Sequence, residues 1–138
     1  MIAVVDIDGV LADATHRQHH VERRPKDWDA FFAAVGEDPL LVEGRRRLIE
    51  LSQDHEVVLL SGRPERTRAD TLAWLDQHGM PVSRLVLRAD ADHRAAPDLK
   101  ADLIRGIGAP DEIAVVLDDD ESIVERLAGL GYTTELFR

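Results

Sequence analysis

Five short runs, residues 2–7, 57–60, 85–87, 113–117 and more weakly 132–136, are apolar at nearly every successive position, and helical patterns separate them. Runs of that kind fit strands buried on both faces, which a parallel sheet requires and an antiparallel sheet with one wet face does not. The helical patterns cover residues 42–53, 64–78, 97–107 and 121–130; Pro64 and Pro97 suit a first turn, and Gly79 and Gly131 follow a last one. Strands alternating with helices of this length predict βαβ units with right-handed crossovers, hence a three-layer α/β domain with helices on both faces of a parallel sheet. A chain of 138 residues has room for one such domain, expected to span 1–138.

Composition narrows the function classes. There is no Cys, so disulfides, thiolate nucleophiles and zinc-thiolate sites are excluded and nothing points to an oxidising compartment. Lys plus Arg number 17 against 27 Asp plus Glu, a net charge of −10 that opposes broad adhesion to nucleic acid or anionic membrane while leaving room for a local basic groove. No apolar run approaches the ~18 residues that span a bilayer, and Asp6 arrives too early for a signal peptide. The expectation is a cytoplasmic protein that does not enter a membrane.

Residues 11–41 fit the alternation least well. They contain a short amphipathic piece, residues 28–35, stopped by Gly36. It reads either as a connecting helix that plugs the sheet or as a small flap over a site at the strand ends, since long connections in compact domains are often lids. Trp28, Phe31 and Phe32 at helical spacing read as packing residues rather than as a base-stacking surface. His16, His19 and His20, without a clear helix to pair them, read as decoration of the flap, and Arg45, Arg46 and Arg47 as a solvated helix face.

In a parallel sheet, ligands bind beyond the carboxyl ends of the strands. The first strand ends in Asp6-Ile7-Asp8-Gly9, the second in Ser61-Gly62-Arg63-Pro64, the third in Arg88 and the fourth in Asp118-Asp119-Asp120, with Lys100 on the helix between the third and fourth. At a strand's period of two, Asp6 and Asp8 face one side with Cα atoms ~6.5 Å apart, and Gly9 permits a sharp turn after them. One carboxylate can attack a centre while the other handles a proton. Three successive carboxylates at 118–120 repel one another unless a cation offsets them, and Mg²⁺, which takes oxygen ligands from one or two carboxylates and from substrate, fits best. Capping of the following helix accounts for Asp120 but not for all three. Ser61-Gly62-Arg63 before a Pro-started helix suggests a phosphate cradle at a helix N-terminus. Lys100, one of only two lysines, is a compact ammonium able to reach between a carboxylate and a phosphate oxygen.

In this order the Asp-x-Asp-Gly-Val run, the strand ending in Ser61, the helix-borne Lys100 and the strand ending in Asp118-Asp119 resemble the four motifs of the haloacid-dehalogenase (HAD) superfamily of phosphohydrolases, over essentially the whole chain. The resemblance implies a Rossmann-like domain with a small or minimal cap and a Mg²⁺-dependent phosphatase. Asp6 would be the nucleophile that becomes an aspartyl-phosphate, and Asp8 the general acid and then base. Ser61 and Lys100 would bind phosphate, and Asp6, Asp118, Asp119 and the backbone carbonyl of Asp8 would hold the metal. Asp8, in place of Asn or an apolar residue, implies phosphate transfer rather than dehalogenation. Placing the Asp6 and Asp118 ends side by side, so that one metal touches both, predicts five parallel strands in the order 3-2-1-4-5.

A closer likeness lies in Ser61-Gly62-Arg63, Arg88, Asp92, Arg94 and Lys100 at their spacings, with Arg17 eleven residues after Asp6. These look like the 3′-phosphatase domain of phage-type polynucleotide kinase-phosphatase. On that likeness Arg17, Arg63 and Arg88 match the arginines around the phosphate site, Gly62 lies among them, and the substrate is a 3′-phosphate end of DNA or RNA. Arginines can grip such a group with bidentate contacts. Two departures stand out: no G-x-x-x-x-G-K-[ST] loop is present, so kinase or ligase activity would belong to a separate partner, and the net charge is strongly acidic. The same chemistry would serve a phosphatase of a small metabolite or nucleotide. A receiver-like phospho-acceptor domain has similar length and parts, but places its phosphorylated Asp after the third strand, where this chain has Arg88.

Overall fold

Strands apolar on both faces need cover on both faces, and alternate residues here find it in two separate cores. The computed structural model, which describes residues 1–138, contains β1 (Ile2–Val5), β2 (Glu56–Pro64), β3 (Arg84–Arg88), β4 (Ile113–Asp118) and β5 (Thr134–Leu136). They form one parallel sheet in the order β3-β2-β1-β4-β5, as expected. Ala3, Val5 and Leu59 point into a core closed by Leu48 of α3 (Val42–Ser52) and by Trp74 and Leu75 of α4 (Arg68–Gln77). Val4 and Leu60 point the other way, against Ala101 of α5 (Ala96–Leu103), Ile104 and the Ile123 and Leu127 face of α6 (Glu121–Gly129). β1 is central: Val4 pairs with Val58 on one side and Val116 on the other, which sets the ends of β1 and β4 next to each other.

Two boundaries differ from expectation in ways that matter for the site. β1 stops at Val5 because the carbonyl of Ile7 collects the N–H groups of Val10, Leu11 and Ala12 at 3.2, 2.8 and 3.0 Å, a tight turn made possible by Gly9 at φ 85°. On the other side, Pro64 does not open a helix. Its backbone is extended (φ −72°, ψ 156°), β2 continues through it, and α4 begins only at Arg68 after a short 3-10 turn. Proline's fixed φ suits an extended strand as well as a helical turn, and Pro64 sits at a register shift in the pairing with β3 where its missing N–H is tolerated. Ser61, Gly62 and Arg63 therefore lie in a strand and not at a helix N-terminus. The weak fifth run yields a strand only over 134–136; Tyr132 is buried, its hydroxyl donating to the Gly108 carbonyl at 2.9 Å.

Residues 11–41 form an insert between β1 and α3. A bridge between Ala12 and Leu40, with hydrogen bonds from Asp13 N to Pro39 O and Leu41 N to Leu11 O, closes its base. Beyond that base it carries α1 (His19–Glu22) and α2 (Trp28–Ala33), the latter capped by Asp27, whose carboxylate accepts from Ala30 N at 3.0 Å. No helix is long and apolar enough to cross a membrane.

α3 reaches the turn after β1 through Gly44: a Cβ there would lie 1.5 Å from the Val10 carbonyl oxygen. Gly44→Ala should lower the unfolding free energy by about 1–3 kcal/mol in a denaturant titration. Gly129→Ala, at the open end of α6 where an added Cβ meets nothing within 4 Å, should raise it by up to about 1 kcal/mol. Equal effects of the two substitutions would contradict this packing.

Candidate active site

The central feature is a buried ammonium between two carboxylates. Lys100, on α5, places Nζ 3.0 Å from Asp6 Oδ1 and 2.7 Å from Asp118 Oδ2, and all three side chains are nearly or wholly buried. Burial would pull the ammonium's pKa down, but Asp6 and Asp118 more than reverse this and raise it, so Lys100 stays charged. The Asp6 pKa is raised as well: burial lifts it well above the usual range, Lys100 opposes the shift, and the charges of Asp118 and Asp8 add to it. Burial and the neighbouring Asp118 likewise raise Asp119.

Carboxylate oxygens of Asp6, Asp118 and Asp119 all lie within 4.8 Å of one another. Three carboxyl groups thus surround a single ammonium, and the group is rich in oxygen donors. That donor set fits a hard divalent cation. Gly9 is part of the fit, because a Cβ there would stand 1.9 Å from Asp119 Oδ2: only glycine lets the Asp119 carboxylate approach the turn. Asp118 Oδ1 accepts from Asp120 N at 3.0 Å, and Asp120 caps α6 through Ser122 N at 2.8 Å. Capping thus accounts for Asp120 alone of the three.

Asp8 belongs to a second, electrically balanced group. Its Oδ1 accepts from Arg17 Nη2 at 3.0 Å and Arg63 Nη2 at 2.8 Å, leaving Oδ2 with a long 3.4 Å contact to Arg63 Nε. Both guanidinium groups are fully buried, and behind them Asp38, also buried, accepts from Arg17 Nε at 2.9 Å and from Arg17 and Arg63 Nη2 at 3.0 and 2.9 Å. Arg63 Nη1 donates to Thr71 Oγ1 at 3.0 Å, the Arg17 guanidinium lies 4.3 Å from the Phe31 ring centroid, and His16 Nε2 reaches Asp38 Oδ1 at 2.5 Å. Two arginines and two aspartates cancel. The sequence points to Arg17 and Arg63 as groups that touch phosphate; the structure engages both in holding Asp8.

Asp38 went unnoticed in the sequence because nothing local marks it. It is one acid among 27, ahead of a proline, and only closure of the insert carries it under Arg17 and Arg63. Ser61 is fully buried and its hydroxyl accepts from Arg63 N at 3.1 Å. Arg88 braces the wall beside Gly62: Nε donates to Gly62 O at 2.9 Å and Nη1 to the carbonyls of Asp92 and Arg94 at 3.1 and 2.6 Å, while Nη2 makes no hydrogen bond. Hydrogen bonds from Arg94 hold the Asp92 carboxyl down to about 2. The Arg45–47 trio is not simply solvated, since Arg45 donates to His78 O at 2.8 Å and Arg47 ties α3 to Glu135 of β5 at 2.8 Å. β3 ends in Arg88, so the receiver arrangement does not apply.

A cleft of about 540 Å³ opens onto Asp8 and Arg63, with Gly62, Arg66 and Arg88 on one side and Trp28, Phe31 and Phe32 of the insert on the other. Phe31 packs on Arg17 but is only partly buried, and Trp28 remains 47 % exposed, so these aromatics are not the buried packing residues their spacing suggests.

Comparison with known proteins agrees with this fold. The model of the family described as polynucleotide kinase PNKP phosphatase domain matches residues 1–135. Among solved structures, a chain of the Pnkp1/Rnl/Hen1 complex superimposes with a TM-score of 0.80 at 23 % identity, over 99 % of this chain and 45 % of that one. A chain of the Pnkp1/Rnl/Hen1 RNA repair complex gives 0.79 at 22 %, over 99 % and 42 %. This chain therefore spans less than half the length of those two. A HAD-family enzyme from Bacteroides thetaiotaomicron, in complex with magnesium and inorganic phosphate, gives 0.60 at 14 % identity, over 99 % of this chain and 93 % of that one. Comparison with curated proteins gives no match.

The balance of charges around Asp38 can be measured. Removing a buried partner leaves the remaining charges uncompensated, so Asp38→Ala should lower the unfolding free energy by about 3–5 kcal/mol. Glu37→Ala, at the exposed neighbour, should change it by under about 0.5 kcal/mol. An Asp38→Ala protein as stable as the parent would contradict the network.

Proposed function

The chain belongs to the polynucleotide kinase PNKP phosphatase domain family, among the HAD phosphatases, and on that premise we propose that it removes phosphate from polynucleotide 3′ ends through an aspartyl-phosphate on Asp6. The observation that carries this reading is the division of labour between the two acids: Asp6 is set by Lys100 beside Asp118 and Asp119, while Asp8 is held apart by Arg17 and Arg63. One carboxylate is positioned to attack and the other to move a proton.

In the first step an Asp6 carboxylate oxygen bonds to phosphorus, the bond from phosphorus to the 3′ oxygen breaks, and Asp8 gives that oxygen its proton. Next a water attacks phosphorus as Asp8 takes back a proton, the bond to Asp6 breaks, and inorganic phosphate leaves. The Asp8 oxygen free of strong hydrogen bonds, Oδ2, is the one suited to this traffic. Lys100 and the buried Ser61 hold the transferred group, and Arg88 Nη2 offers an unused donor toward the substrate. Arg17 and Arg63 act through Asp8. Mg²⁺, held by Asp6, Asp118, Asp119 and the Asp8 carbonyl, would screen the approach of a carboxylate to a phosphate dianion.

Residues 11–41 serve as a small cap that leaves the cleft open to a polymer end. The assembly of a similar chain in the Pnkp1/Rnl/Hen1 RNA repair complex supports a separate kinase or ligase as partner. The rival substrate, a small phosphorylated metabolite, is separated by rate. With Mg²⁺, kcat/KM for a 3′-phosphorylated oligonucleotide should exceed that for each metabolite phosphomonoester by about ten-fold or more, and the reverse order would overturn the proposal. Asp6→Asn should reduce kcat by at least about 10³-fold, the order seen when a nucleophile is removed, with the fold retained. Chelation should abolish turnover and Mg²⁺ restore it.

A further inference from the structure

The insert carries two features that dephosphorylation itself does not use: an aromatic wall on the cleft and a run of unpaired cations just beyond it. Trp28 and Phe32, one helical turn apart on α2, lie with rings nearly parallel (5.8 Å between centroids, 21° between planes). Both line the cleft that opens onto Asp8. The chain's other tryptophan gives the contrast: Trp74 is 2 % exposed and its Nε1 donates to Asp38 O, as a core tryptophan's should, whereas Trp28 is 47 % exposed and its indole N–H has no partner.

Trp28 also lines a second concavity, formed by residues 23–29. Arg23, Arg24 and Lys26 are exposed there, and Lys26 Nζ lies 5.8 Å from the Trp28 ring centroid. Arg23 makes one loose pair with Asp27 at 3.5 Å; Arg24 and Lys26 pair with no carboxylate. Many other arginines of this acidic protein are paired, although Arg45, Arg84 and Arg88 donate only to backbone carbonyls. Arg46 and Arg47 are paired with Glu43, Glu50 and Glu135, and even in the cleft Arg66 is shared between Asp29 and Asp90 while Arg94 holds Asp92. Arg24 and Lys26 are thus unpaired cations that adjoin the exposed aromatic.

We propose that Trp28, backed by Phe32, stacks on the terminal nucleobase of a single-stranded 3′ end and that Arg24 and Lys26 bind the backbone phosphates leading to it. An aromatic platform beside a basic track is what single strands require, since every base has a π-face and every linkage a charge. A duplex end would keep its terminal base stacked on its neighbour, and a mononucleotide would leave the basic track unused. The track is short, so it is compatible with a protein that carries net negative charge. The proposal rests on the 3′-phosphatase reading and specifies the form of its substrate.

The test compares two single-stranded oligonucleotides, each ending in a 3′-phosphate, one with a base on the terminal nucleotide and one with an abasic tetrahydrofuran there. The parent protein should prefer the base-bearing substrate by about ten-fold in kcat/KM, through KM, the order expected for one stacked base. That preference should fall to about one in the Trp28→Ala Phe32→Ala protein and persist in Trp28→Phe, which keeps a ring. Arg24→Glu Lys26→Glu should raise KM for a ten-nucleotide substrate by about ten-fold while leaving the base preference in place. Independently of turnover, titrating the Asp6→Asn protein with the base-bearing oligonucleotide should quench indole fluorescence, and Trp28→Phe should remove the quench. A base preference that survives loss of both rings, or a quench that survives Trp28→Phe, overturns the inference while leaving the 3′-phosphatase reading intact. Failure of the parent protein on every 3′-phosphorylated oligonucleotide, with turnover of a metabolite phosphate, overturns that reading and the inference together.

Discussion

The ammonium of Lys100, shared between Asp6 and Asp118, is the contact on which the site depends. Ions taken out of water cost several kcal/mol each, and the cost is met only when partners and geometry are right. Three distant parts of the chain must therefore arrive together: the end of β1, the end of β4 and one turn of α5. The strand order β3-β2-β1-β4-β5 makes β1 and β4 neighbours, and α5, packed on the sheet through Leu99 and Ala101, delivers the lysine between them. With Asp119 set over Gly9, the group keeps a set of oxygen donors that suits a divalent cation.

The other half of the site is built on the opposite principle. Asp8 and Asp38 with Arg17 and Arg63 form a charge-balanced, buried network. It spans β1, β2 and the insert, so the same bonds that orient Asp8 also fasten the insert over the strand ends. Asp38 extends that role: its carbonyl accepts from Trp74 Nε1 at 2.8 Å, joining the insert to α4. The orientation of Asp8 and the attachment of the insert are thus physically coupled through Asp38.

Much of this was legible in the sequence because it depends on local rules. Apolar runs set the five strands; Asp6, Asp8, Asp118 and Asp119 could be singled out because each lies at or just past a strand end, and Lys100 because it is one of two lysines and sits on the helix between the third and fourth strands. The remainder depended on contacts that no local rule reports. Pro64 has a φ compatible with both helix and strand, and only its pairing with Arg88 decided for the strand. Arg17 and Arg63 could be recognised as important, yet whether a guanidinium faces solvent or a buried carboxylate is set by Asp38, some twenty residues away from either in sequence. Trp28, Phe31 and Phe32 share one helix of six residues and all three line the cleft, Phe31 packing on Arg17 as well, a placement set by where the insert lands.

The covalent role of Asp6 is the claim that joins fold to chemistry, and a rapid-quench experiment addresses it directly. A single-stranded oligonucleotide carrying a radiolabelled 3′-phosphate would be mixed with the protein and Mg²⁺, stopped in acid within milliseconds, and the protein digested. The account predicts transient label on the peptide containing Asp6, stable to acid, released by alkali and absent from Asp6→Asn. Full turnover with no label on protein at any time, or label on another residue, would contradict it.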